Sequence, residues 1–335
     1  MSAAKTALKA VGVAAGVAAG AAATGYVTEQ AVLRSLRRRP DPDDGSLGSL
    51  PADAVLRLPT HDDGVASTVR RGEGPPILFS HGVTISSRVW VKQFQQLPDV
   101  GVEVIAFDHR GHGDSVLGTS GHSLANLASD MRTVLEALDL RRAILVGHSM
   151  GGVAVQACAL AYPELLRDRV AGIVLLSTLA KTNVSTSRRL RGLAERVAGS
   201  FDLRQLVSRP GIGTVFARVG FGRQPLASQV ELNRQMLASC DTATAQAATV
   251  ALLGLDLTAE LPRLDVPTLV IGGTADVITP PVESRRIAGL IPGARLELLS
   301  GAGHMIMLER TEEFHRLLLD FARDVGALPA TAGAA

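Results

Sequence analysis

The sequence predicts an α/β protein: a mostly parallel sheet flanked by helices, with a helical cap inserted ahead of one of the last strands. Three observations carry this. Short, almost continuously apolar runs recur from about residue 52 onward, as strands buried on both faces require. Stretches with apolar positions at helical spacing separate them. One long interval, about 179–257, breaks the rhythm with helical pieces and no convincing buried strand.

The elements follow in order. "AVLRLP" and "ASTVRR" read as an opening pair of strands. "PPILFSHG" is a compact apolar run ending in His81-Gly82, and Val102 to Phe107 is a buried strand that empties into the glycine-rich "DHRGHGDS". Leu124, Leu127, Met131, Val134, Leu135 and Leu138 fall at helical spacing. The apolar run Ala143 to Val146 leads into Gly147-His148-Ser149-Met150-Gly151-Gly152 and a second helix, and the strand "VAGIVLLST" comes next. The interval 179–257 holds Arg-rich helical pieces and a loop, "SRPGIG". An all-helical insertion between two strands is most simply a cap over the strand ends, since a separate domain would need two linkers. The rhythm resumes with "VPTLVIGGTAD", a helix near 281–290, the strand "ARLELLS" and one terminal helix, "MIMLERTEEFHRLLLDFARDV".

Composition narrows the partners. Net charge is only +2, and the one dense basic run (Arg34, Arg37, Arg38, Arg39) is followed at once by Asp41, Asp43 and Asp44. A nucleic-acid face needs a larger basic patch with interleaved aromatics, so no nucleic-acid partner is expected. Cys158 and Cys240 lie far apart without metal-ligand spacing and read as small buried residues.

Residues 1–45 stand apart from the rest. Lys5 and Lys9 precede an uncharged tract of 18 residues, Ala10 to Val27. That length could just span a bilayer, but the tract lacks the Leu, Ile and Phe that favour insertion. Three readings stay open: an anchor with the arginine cluster on the cytoplasmic side, a signal peptide cleaved near Ala21-Ala22-Ala23, or a low-complexity tail. A cytoplasmic or membrane-associated location is therefore expected ahead of secretion. Asp41 to Pro51 is rich in Asp, Gly, Ser and Pro and reads as a linker. The main domain is expected over 52–325, with residues 1–45 dispensable to it and 326–335 a flexible tail.

The chemistry concentrates where strands end, which is where open parallel sheets bind ligands. In G-H-S-M-G a serine sits between a buried strand and a buried helix. A turn that tight pushes the serine hydroxyl clear of the backbone, and the residues two before and two after it crowd each other, so Gly147 and Gly151 must lack side chains. Placement at a helix start also aims free N–H groups at developing negative charge. A serine needs a base. Of the eight histidines, His148 is expected to point elsewhere, and His315 to be surface or satisfied core. His109 and His112 share a loop with Asp114 in a metal-like pattern, but no further ligand cluster accompanies them, so structural hydrogen bonding is expected and no metal. His304 alone follows the final strand, in a glycine-bracketed loop. Asp276 follows a strand and precedes His304, whereas Asp265 lies before its strand, at the wrong edge. Ser149, Asp276, His304 is the chain order of a nucleophile-elbow hydrolase.

"GHSMGG", "DHRGHGDS", "LVIGGTADVITP" and "GAGHMIMLE" together resemble the α/β-hydrolase superfamily, in its capped bacterial esterase and haloperoxidase-like branch, over about residues 66–325. The resemblance implies Ser149 as nucleophile, His304 as base and Asp276 as the residue that orients it. It also implies the backbone N–H groups of Val83 and Met150 as oxyanion donors, with His81 structural. A serine at the nucleophile position is unlike the aspartate of related epoxide hydrolases and dehalogenases.

The leading expectation is a serine hydrolase cleaving carboxylic esters of small to medium apolar substrates through an acyl-enzyme, with no metal or organic cofactor. Thioester, amide, C–C bond and perhydrolase chemistry use the same triad, and fold does not choose among them. A catalytically idle ligand-binding relative is the alternative of a different class. "LRGLAERVAG" and "TATAQAATVALLGL" in the cap suggest an apolar pocket, or equally a face that only packs on the sheet.

Overall fold

The structure, a computed structural model, describes residues 29–182 and 203–330. Eight strands form one sheet: β1 (Ala54–Pro59), β2 (Val65–Arg71), β3 (Pro76–Ser80), β4 (Glu103–Phe107), β5 (Ala143–His148), β6 (Val170–Leu176), β7 (Thr268–Gly273) and β8 (Arg295–Leu299). Their spatial order is β1-β2-β4-β3-β5-β6-β7-β8. β1 to β2 and β2 to β4 are antiparallel, and every pairing from β4 to β8 is parallel. The parallel strands run apolar because both faces are covered. Ile77, Phe79, Ile144, Val146, Val174 and Leu176 join one core cluster, while Leu78, Leu145, Ile173 and Leu175 join the other.

The helices are α1 (29–37), α2 (Val91–Gln96), α3 (Leu124–Ala137), α4 (Met150–Ala161), α5 (Pro163–Arg169), α6 (Leu203–Val207), α7 (Pro210–Arg218), α8 (Ala227–Ser239), α9 (Thr242–Leu252), α10 (Pro281–Leu290), α11 (Ile306–Glu309) and α12 (Thr311–Asp324). Ser123 caps α3 by accepting from the Asn126 N–H, and Asp241 caps α9 by accepting from the Thr244 N–H. α6 to α9 lie between β6 and β7, as the cap expectation requires; "LRGLAERVAG" falls outside the described residues.

Three expectations are corrected. "SRPGIG" is not a loop: Pro210 opens α7 at the first helical position, where its missing N–H costs nothing and its fixed φ suits the helix. Gly213 then allows the helix to pack on the Val207 carbonyl, which a Cβ would overlap. The terminal helix is two, broken at Arg310, whose φ of −133° and ψ of 45° lie outside the helical region. The stretch read as a free linker is packed. Leu36 and Leu47 enter the main core cluster. Asp43 pairs with Lys92, Asp41 accepts from the Ser228 N–H and hydroxyl at 2.7 and 2.9 Å, and Gln95 donates to the Ser46 carbonyl. Residues 29–51 thus tie the cap helix α8 to α2.

Candidate active site

β5 runs on to His148, so Ser149 is the single residue between strand and helix, with φ 53° and ψ −119°. Such a backbone is costly for a residue with a Cβ and persists because its surroundings over-determine it. The Ser149 N–H bonds the Leu176 carbonyl of β6, and its carbonyl accepts from Gly152 N–H and from the Thr178 hydroxyl at 2.7 Å. A Cβ on Gly147 would lie 2.5 Å from the Gly151 carbonyl, and one on Gly151 would overlap the Ser80 carbonyl of β3. The two glycines therefore let α4 start directly above the sheet. Met150, at the first position of α4, belongs to the turn whose N–H groups have no intrahelical acceptor.

His304 stands in the loop after β8, and Asp276 in the loop after β7. His304 Nδ1 lies 2.9 Å from Asp276 Oδ2. A carboxylate only accepts, so Nδ1 donates in this bond and Nε2 is the nitrogen left for other partners. Burial pushes the Asp276 carboxyl up, but the His304 ring and the hydrogen bonds from His304 and Thr279 outweigh burial and hold it below the ordinary carboxylate value. Thr279 was not singled out by the sequence reading. Its hydroxyl donates to Asp276 Oδ2 at 2.7 Å, and the N–H groups of Ile278 and Thr279 donate to Oδ1 at 2.8 and 2.9 Å. The signal was the run Asp276-Val277-Ile278-Thr279, an aspartate with backbone donors and a hydroxyl two and three residues on.

His148 turns to the His304 loop: its Nε2 lies 3.0 Å from the His304 carbonyl and donates to it, and the two rings stand 4.6 Å apart. Burial, and next the His304 ring, hold it well below the ordinary histidine value, so it is neutral. The other strand-end histidines are structural bonds. His81 Nε2 accepts from the His109 N–H at 2.9 Å, His109 Nε2 meets the Ser80 hydroxyl at 2.9 Å, and His112 Nε2 accepts from the Thr84 N–H at 3.3 Å. Arg110 is buried between Asp62 and Asp130, bonding them at 2.9 and 2.7 Å and pinning the loop after β4. His315 is satisfied core, 3.1 Å from the Gln93 side-chain nitrogen.

Ser149, His148 and His304 line one cavity of about 360 Å³ together with Gly82, Val83, Thr84, Ile85 and Met305 from the sheet side. The cap supplies Phe216 of α7, Val219 and Gly220 just past its end, and Asn233 and Leu237 of α8, and nothing from α9. Leu252 packs instead against the core cluster on the α3–α4 face of the sheet. The cap is stitched to the His304 loop: the Gly220 carbonyl accepts from the His304 and Met305 N–H groups at 2.9 and 3.1 Å. Glu309 accepts from Gly222 N–H at 2.7 Å and from Gly303 N–H at 3.0 Å, so one carboxylate holds both segments. A hydroxyl on a strained turn and an imidazole held by a carboxylate thus stand on the wall of one cavity.

Residues 75–311 match the family described as the alpha/beta hydrolase fold, and the chain belongs to it. Its relatives place it in a branch of bacterial esterase-like and haloperoxidase-like members. It is 32% identical over 257 residues to a non-heme haloperoxidase of Rhodococcus erythropolis, covering 75% of this chain and 93% of that protein. It is 30% identical over 261 residues to the bifunctional esterase/perhydrolase DCH of Acinetobacter calcoaceticus, covering 75% and 92%. A thermophilic esterase structure from Thermogutta terrifontis superposes with a TM-score of 0.68 at 28% identity, covering 81% of this chain and 99% of that one.

Proposed function

We propose that the protein hydrolyses carboxylic esters of small to medium apolar substrates through an acyl-enzyme on Ser149. Ser149 Oγ attacks the acyl carbon while His304 Nε2 takes its proton. The oxyanion forms against the Met150 and Val83 N–H groups, each worth about 3–4 kcal/mol of transition-state stabilisation. His304 returns the proton to the leaving alcohol, then draws one from water as water attacks the acyl carbon, and gives it to Ser149 Oγ as the acyl–oxygen bond breaks and the acid leaves. Asp276 keeps the proton on Nδ1 throughout. The single observation that carries this reading is the Asp276–His304 bond, with His304 and Ser149 on the same cavity wall.

Perhydrolysis is the second reading, favoured by the names of the haloperoxidase and esterase/perhydrolase relatives. There hydrogen peroxide replaces water in the second step and leaves as the peracid. A fluorophosphonate probe should label Ser149, whereas an idle ligand-binding protein would not react. Hydrolysis across esters of graded chain length, amides and thioesters, with and without peroxide, then selects the bond; no turnover of any ester would overturn the assignment.

A further inference from the structure

The cap face beside the cavity mouth carries features that ester hydrolysis does not use. α1 lies beside α7: Val32 and Leu36 pack in the core cluster that also holds Ala217 of α7. The Glu29 carboxylate lies against Gly211 at the start of α7. Arg34, Arg37 and Arg38 are exposed on α1. On the neighbouring α7 and its C-cap, Ile212, Phe216 and Val219 recur at helical spacing and are 45%, 39% and 51% exposed. The other wall of the mouth adds Val277, Ile278 and Val282, at 68%, 49% and 54%. Phe216, Val219 and Ile278 also line the cavity, so the exposed apolar stripe is continuous with the wall around Ser149.

Single exposed apolar residues need no explanation, but a contiguous set at a cavity mouth marks an interaction surface. The arginines beside it select the partner's charge. We propose that this face docks on an anionic phospholipid bilayer, the stripe entering the headgroup region and the arginines meeting lipid phosphates, so that the cavity opens toward esters dissolved in that bilayer. Apolar burial and attraction to anionic lipid act together at such surfaces. The uncharged tract Ala10 to Val27, which precedes α1 in the sequence, is compatible with the same surface. Docking stands on the surface alone; only the delivery of esters rests on the proposed hydrolysis.

The test is flotation of the full chain with phosphatidylcholine vesicles, with and without phosphatidylglycerol. Binding should appear with phosphatidylglycerol and fall with added salt. Changing Arg34, Arg37 and Arg38 together to Gln should weaken it at least tenfold, each arginine near the surface counting for about fivefold. Ile212→Ser, outside the cavity, should weaken it independently while leaving hydrolysis of a soluble short-chain ester unchanged. In both variants, cleavage of an ester embedded in the vesicles should fall with binding. The proposal is overturned if the full chain ignores anionic vesicles or binds neutral ones equally well. It is also overturned if both variants bind as the unaltered chain does, since residues 10–27 alone would then account for binding. Failure to cleave any ester, with vesicle binding intact, would count against the hydrolysis reading and not against the docking.

Discussion

At Asp276, four hydrogen bonds converge on two oxygens, and only one of them comes from His304. The carboxylate is therefore fixed before any substrate arrives. Asp276→Asn would keep the shape but allow the amide to donate, turning His304 to the wrong tautomer; ester turnover should fall about 10⁴-fold, as steady-state kinetics would show. Gly151→Ala would drive a Cβ into the Ser80 carbonyl, and denaturant titration should show a loss of about 1–3 kcal/mol or more. That Ser149, Asp276 and His304 meet at one edge of the sheet was legible because each follows a strand in a recognisable order. Thr279 and the bond that His148 makes were not. A threonine three residues after an aspartate is common, and the contact of His148 with the His304 carbonyl joins residues 156 positions apart.

Helix α7 shows what periodicity misses. Pro210, Gly211 and Gly213 look like a turn, yet proline is acceptable at the first helical position and glycine is required where the helix crosses the Val207 carbonyl. The parallel strands were legible because continuous apolar runs have one simple explanation. The cap's lining was not, since apolar faces of α8 and α9 look alike until one meets the cavity and the other the sheet. Phe216→Ala or Leu237→Ala should shift preference toward longer acyl chains, read as kcat/KM across a series of p-nitrophenyl esters. Leu252→Ala should lower activity equally on all chain lengths, if at all, because it loosens packing away from the cavity.

Across the whole molecule, the buried histidines set the response to acid. Burial lowers His81, His112 and His315 from 6.5 to about 4. The unfolded chain binds these protons already near 6.5 and the fold resists them until about 4. Stability is thus full above 6.5 and declines as pH falls between those values, by up to about 3 kcal/mol per ring. Urea midpoints measured across that window should fall steadily, and a flat profile would contradict the neutral assignments. The N-terminal strap acts at the same scale. Its composition read as linker because Asp, Gly, Ser and Pro also build packed turns, and only tertiary contacts distinguish the two. Deleting residues 1–45 removes Leu36 from the core and Asp43 from Lys92. It should cost about 2 kcal/mol or more and lower the thermal midpoint; an unchanged midpoint would restore the detachable tail.

The account rests on Ser149 as the atom that carries the acyl group, and mass spectrometry of a trapped intermediate tests that directly. Mixing the protein with a slow-turnover ester, quenching in acid and digesting should place the acyl mass on the peptide containing Ser149. Ser149→Ala should lose that adduct, keep its fold, and turn over about 10⁴- to 10⁶-fold more slowly. An acyl group on any other residue, or undiminished turnover in Ser149→Ala, would contradict the mechanism.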